Sequence, residues 1–288
     1  QVETVCWISA SKIVLSTFFY LSALICYIQY MRNSKWQYLL ASVVSSILAM
    51  GCKEQSVIIV PCLLLFDWML FKRNMRSLKV YIEKVYYLIP AIAIFIVTLV
   101  ANKNTGEEII GYTIVDRFIF LCYSSFKYLL ISAIPFKLSY LYPFPFQVGE
   151  KIPMALWIYP FVILFIGYVI YLNRRKPLLV FCTLFFILHL LPVLHVIPLP
   201  RYVVAADRYL YIPYIAFAIG LSILSYHLYE RQRKWILYAG FLYCSYLCVY
   251  TAGYAPAWKN SDTLKEHFKE VLKKRETNLS INFKHEKQ

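Results

Sequence analysis

The sequence predicts an all-α polytopic membrane protein, and three observations predict it. Of its 288 residues, 60% are hydrophobic, where a globular chain runs about 45–50%. Only 16% are charged, against about 25% in soluble proteins. The apolar residues also gather into runs close to the length of a bilayer crossing. With 20 Phe, 26 Tyr and 6 Trp added, no single soluble core could hide this excess, so lipid has to be the solvent. The net charge of +15 comes from basic residues in short bursts between the apolar runs. That is how a multispanning protein distributes charge, and it speaks against a nucleic-acid partner.

A helix crossing about 30 Å of hydrocarbon needs roughly 20 apolar residues. The candidates, in order, are Ile13 to Met31, Gln37 to Gly51, Ser56 to Phe71 and Tyr86 to Ala101, then Ala155 to Leu172, Leu178 to Pro198, Leu210 to Leu228 and Trp235 to Gly253. These are eight spans, of which the Gln37 and Ser56 segments are short. Phe118 to Pro135 is apolar enough to insert but carries Lys127 near its middle, at a cost of about 2.5–3.5 kcal/mol on insertion scales.

Charge asymmetry decides how that run is read, because each added crossing inverts everything after it. If it does not cross, four short basic loops share one side: Arg32 with Lys35; Lys72, Arg73, Arg76, Lys79 and Lys84; Arg174 to Lys176; and Arg231, Arg233 and Lys234. That is the cytoplasmic signature. Residues 118 to 135 are therefore expected to be interfacial or re-entrant, with both chain ends extracytoplasmic. Residues 1–258 form a polytopic membrane domain with an outer loop over 102–152, and residues 259–288 an outer appendage.

Within that appendage, Leu264, Phe268 and Leu272 recur at helical spacing behind an N-cap Ser261 or Asp262, predicting an amphipathic helix followed by a polar tail. The outer loop holds Tyr140 to Phe146, whose prolines forbid a regular helix. It reads either as an interfacial aromatic belt or as a platform for a lipid or acceptor. Eight cysteines without a CxxC, mostly inside apolar stretches, read as buried inert thiols. Gln1 opens the chain without a basic n-region, so an upstream segment is expected to have been removed or to lie outside a fragment.

The outer side carries charges of both signs, often adjacent, and there the chemistry is expected. Lys53-Glu54 interrupts two apolar segments, where a pair at the membrane surface is costly unless paired or used. It is a snorkelling pair at a tight turn or a cation for an anionic head group. Asp207-Arg208 poses the same choice, and an Arg fork at head-group level suits bidentate phosphate binding. His189 and His195 lack the spacing of a metal pair, so no metal site is expected from them. Glu107 and Glu108 could hold a divalent metal, but adjacent carboxylates on a polar loop are usually solvated. No GxSxG, P-loop or GxGxxG occurs. Asp67, near the cytoplasmic end of its span, reads as a satisfied structural carboxylate rather than a proton relay.

Five strings in order, Val2 to Ser9 with Lys12 to Ser16, Gly51 to Gln55, Leu141 to Pro143, Ala206 to Pro213 and Trp258 to Leu264, resemble the membrane domain of the transmembrane and tetratricopeptide-repeat O-mannosyltransferase family and its bacterial relatives. The resemblance covers about 260 residues. It implies a GT-C-like bundle that takes a sugar from a polyprenyl-phosphate carrier and transfers it to a protein or glycan acceptor on the extracytoplasmic face. The catalytic base such enzymes use would lie upstream of Gln1, so no catalytic residue is named in this chain. Family members commonly continue into tetratricopeptide repeats after the Trp258 string, where this chain has one candidate helix.

Transfer from a lipid phosphate needs a base for the acceptor hydroxyl and cations for the departing phosphate. Arg208 and Lys53 are the expected carrier-phosphate contacts, Asp207 and Glu54 their supports, and Glu3 an outer-rim acid. The donor is a polyprenyl-phosphate sugar, with a divalent metal as an optional helper. Competing readings are a lipid-linked-saccharide transporter, which predicts internal repeats and charges near span midpoints, a surface-polysaccharide polymerase or ligase, and a non-catalytic membrane scaffold.

Overall fold

The computed structural model describes residues 1–104, 111–136, 138, 139, 142–195, 203–230, 233–260, 262–266 and 269. Among them the chain is helical, with one isolated antiparallel bridge between Tyr142 and Ala205. A short α1 (Val2–Cys6) precedes α2 (Ser11–Asn33), α3 (Trp36–Cys52), α4 (Ile59–Met69) and α5 (Leu78–Asn104). Then follow α6 (Ile114–Ala133), α7 (Ile158–Leu172), α8 (Pro177–Leu190), α9 (Pro213–Tyr229) and α10 (Arg233–Tyr254). Short 3-10 turns over Glu54–Ile58, Asp207–Leu210 and Ala255–Trp258 join or flank them.

Four helical stretches are long and apolar enough to cross a membrane: Ile8–Asn33, Leu78–Ala101, Met154–Leu172 and Lys234–Trp258. Trp36–Cys52, Pro177–Val193 and Pro213–Tyr229 are shorter apolar helices. The surface fits lipid: α7 buries no residue, and Phe161, Leu164, Phe241 and Leu242 on the outer helices stand largely exposed. Apolar side chains facing outward in this number are costly in water and stable in hydrocarbon.

Helices α2 and α3 form the most extensive pair, and their small residues explain it. Ser34 takes a left-handed conformation (φ 55°) and its N–H caps Tyr30 O at 2.8 Å, turning the chain back at once. Ser42 Oγ then donates to Ala23 O (2.7 Å) and Ser16 Oγ to Ala49 O (2.9 Å), in one constant antiparallel register. Ala23, Ser42 and Ala49 are fully buried. Small residues allow close backbone approach where lipid removes the hydrophobic drive between helices.

At the α4 end of this pair lies a buried ionic network. Asp67 accepts from Tyr27 Oη (2.6 Å) and Lys84 Nζ (2.6 Å), and Arg73 bonds Glu83 (2.6 Å). Asp67 is thus the satisfied carboxylate expected from the sequence. Lys84, assigned by composition to a loop, instead sits inside α5 and is buried. Its pairing with Asp67 makes that position tolerable and lets α5 begin at Leu78 rather than Tyr86.

The stretch over 102–152, expected to be a loop, contains a complete helix. Thr113 and Asp116 cap α6 reciprocally: Thr113 N–H donates to Asp116 Oδ2 (2.8 Å) and Asp116 N–H to Thr113 Oγ1 (3.2 Å). Along α6, Phe120 stacks on Phe146 (4.9 Å), Lys127 Nζ lies 5.0 Å over the Tyr142 ring, and Tyr128 Oη accepts from Ala206 N–H (3.3 Å). Lys127 is accommodated by that aromatic face. Tyr142 and Phe146 are buried against α6, so this part of the aromatic run is core rather than belt or platform. Tyr140 and Leu141 lie outside the described residues.

Near the chain's end, Asn260 Oδ1 accepts from Asp262 N–H (3.1 Å) and Thr263 N–H (2.8 Å). Asn260 is therefore the N-cap, one residue before the pair expected, and Leu264 packs on the core. Phe268, Leu272 and the polar tail lie outside the described residues.

Candidate functional site

The turn after α3 and the turn before α9 build one site. Lys53 leaves α3 in an extended conformation (φ −152°) and starts the 3-10 turn Glu54–Ile58. On the other side, Asp207–Leu210 forms a 3-10 turn leading into Pro213 at the first position of α9. Lys53 and Arg208 line the same cavity, with Ser16 and Tyr20 of α2, Gln55 and Ser56 of the first turn, and His189 of α8. Its interior is small, about 40 Å³. That is space for a few waters or a compact polar head, not for a saccharide ring.

Each cation is held by a carboxylate. Lys53 is paired with its neighbour Glu54. Burial alone would raise the Glu54 carboxyl, but the Lys53 charge draws it below the usual range. Arg208 is held by Glu3 rather than by Asp207. Its guanidinium donates to Glu3 Oε1 (2.6 Å), and its own backbone N–H donates to Glu3 Oε2 (2.9 Å). The guanidinium also lies 5.5 Å from the Trp7 ring centroid and 5.1 Å from that of Tyr209. These contacts orient a fork whose remaining donors match an oxyanion.

Two roles therefore differ from the sequence expectation. Glu3, expected at the outer rim, is 1% exposed and is the buried partner of Arg208. Burial raises its carboxyl above the usual range despite Arg208. Asp207, expected to brace Arg208, turns the other way: its Oδ1 accepts from Tyr142 Oη (2.9 Å). The cause is local, since successive side chains on a 3-10 turn diverge by about a third of a circle. Asp207 Oδ2 is buried without a hydrogen-bond partner. Burial, with Glu3 nearby, pushes the Asp207 carboxyl up to about 8.

Sequence reasoning missed the cavity floor. His189 Nδ1 lies 2.8 Å from Phe185 O, a pure acceptor, so Nδ1 carries the proton; Nε2 then accepts from Tyr20 Oη at 2.8 Å. A histidine inside an apolar span was the available signal. His195 is elsewhere, with Nε2 at 2.9 Å from Val204 O beside Phe144. Glu107 and Glu108 lie outside the described residues.

A separate apolar groove runs between α4 and α8, lined by Pro61, Leu65, Trp68, Leu184, Leu188 and Leu191 among others. The two have no lining residue in common but meet along the chain: Ile58 lines the cavity and Pro61, about one turn on, the groove; His189 lines the cavity and Leu188 the groove. Compared with models of known protein families, with curated proteins and with solved structures, the chain matches none.

Proposed function

We propose that the chain is the membrane domain of a polyprenyl-phosphate-sugar-dependent glycosyltransferase of the O-mannosyltransferase-like, GT-C type. In this reading α2, α3, the turn-plus-α4 unit, α5, α7, α8, α9 and α10 are eight crossings, α6 is re-entrant, and the cavity faces the extracytoplasmic side. The observation that carries it is the convergence of Lys53 and Arg208, 155 positions apart in the chain, on one cavity.

An anionic head with a long apolar chain matches this surface. The cavity offers two cations and hydroxyl donors; the groove beside it offers a lipid-facing apolar path for an isoprenoid. As a phosphate departs with increased charge, Arg208 and Lys53 stabilise it, while Glu3 and Glu54 keep both side chains oriented. The base that deprotonates the acceptor hydroxyl is not assigned to any residue here.

The test is equilibrium binding of farnesyl phosphate and of farnesol to the purified protein in lipid nanodiscs, for wild type and for Lys53→Ala. The reading requires preference for the phosphate and a weakening of roughly ten- to a hundredfold on losing one charge-assisted contact worth roughly 1.5–3 kcal/mol. Equal binding of phosphate and alcohol, or an unchanged Lys53→Ala affinity, overturns it.

A further inference from the structure

Asp207 is a buried ionisable group that the proposed chemistry leaves unused. It is 5% exposed, and its two oxygens stand in different circumstances. Oδ1 accepts from Tyr142 Oη (2.9 Å), and that hydroxyl in turn accepts from Ser139 N–H (3.1 Å). Oδ2 has no hydrogen-bond partner. Around the same point, Val204 N–H donates to Tyr142 O (2.9 Å) and Ala206 N–H to Tyr128 Oη (3.3 Å). The Asp207 side chain thus adds to a backbone bond in tying the segment around Tyr142 to the turn that carries Arg208.

We infer that Asp207 is a proton-dependent positioning residue: with a proton it holds the Tyr142 segment closed on the 207–210 turn, and without one it releases that segment and the register of Arg208. An ionised carboxylate in this place has one oxygen facing no donor, at a cost that water could relieve only after the segment opens. A neutral acid carries a smaller penalty, since no charge is buried. The groups facing Asp207 are Glu3 from α1, Tyr142 from the outer segment, Lys127 from α6 and Tyr254 from the end of α10. Burial, with Glu3 adding to it, opposes its ionisation; the Tyr142 hydrogen bond and Lys127 favour it and are outweighed.

The direction of the pH response follows. Closed, the Asp207 carboxyl is raised to about 8; open and hydrated, it returns to about 4. Between these values the closed form binds the extra proton, so closure weakens as pH rises, by up to tenfold per unit, and the effect levels off above about pH 8. This inference goes beyond the carrier reading and does not depend on it.

The experiment is amide hydrogen exchange of peptides covering residues 138–146 and 203–208 in nanodiscs from pH 5 to 9, each rate normalised to its intrinsic value at that pH. Wild type is expected to lose protection progressively and reach a plateau. Asp207→Asn, which keeps the shape of the neutral acid, is expected to keep a much flatter profile. Tyr142→Phe, which removes the donor but not the titration, is expected to lower protection at every pH and retain the slope. A flat wild-type profile, an equally steep Asp207→Asn profile, or a Tyr142→Phe protein indistinguishable from wild type overturns the inference.

Discussion

Glu3 and Arg208 are joined by two hydrogen bonds across 205 positions of sequence, one from a guanidinium and one from a backbone amide. The first bond fixes a charge, and the second fixes the turn that presents it. With the carboxylate 1% exposed and the arginine side chain 18% exposed, the pair is more structural than a surface salt bridge.

Removing one member of this pair leaves the other, a buried Glu3 or a half-buried Arg208, without its counter-charge. Glu3→Ala is expected to lower unfolding free energy by about 3–5 kcal/mol, the range for breaking a buried ion pair. Arg208→Lys, which keeps a charge near Glu3 but loses the fork, is expected to cost less. Thermal unfolding in detergent, followed by circular dichroism, measures both. A Glu3→Ala protein as stable as wild type would remove Glu3 from its assigned role.

The ionic network at the opposite end of α2 makes a similar demand. Lys84→Met leaves Asp67, fully buried, facing Tyr27 and a 3.4 Å contact from Arg73 only. A loss of about 3–5 kcal/mol is expected, with much of it recovered when Asp67→Asn is added. A double variant no more stable than the single one would show that Asp67 does not need Lys84.

Packing between α2 and α3 depends on Ser42, fully buried and bonded to both Ala23 O and Tyr87 Oη (2.8 Å). Ser42→Leu loses the same bonds as Ser42→Ala and also forces the helices apart, so it is expected to cost about 1–3 kcal/mol more through overpacking. Ser42→Ala loses the bonds but not the spacing, and is expected to cost about 1 kcal/mol per bond. The same unfolding assay ranks the two, and equal costs would contradict the close-approach account.

Sidedness carries its own prediction. A reporter fused after Lys176 is expected to signal from the cell interior, and one fused after Glu150 from outside. An external signal after Lys176 would invert the charge map on which the proposed topology rests.

Much of the helix pattern was legible because apolar runs announce themselves: Ile13 to Met31 lies inside α2, and Trp235 to Gly253 inside α10. The two cations of the site were legible for a related reason, since a charge between apolar halves stands out. Their partners were not. Glu3 reaches Arg208 only through the tertiary fold, and Asp207 is deflected from its neighbour by a 3-10 turn that no periodicity marks. Lys84 looked like a loop residue because the carboxylate that neutralises it, Asp67, belongs to another helix. His189 and Tyr20 meet from α8 and α2, a pairing invisible to spacing along either helix.

The most direct test of the central claim is a double-mutant cycle on farnesyl phosphate affinity with Lys53→Ala and Arg208→Lys. If both cations engage one phosphate, the combined loss departs from the sum of the single losses by more than about 0.5 kcal/mol. Additive losses would mean that the two side chains act on separate ligand atoms or on none, and would contradict a shared phosphate site.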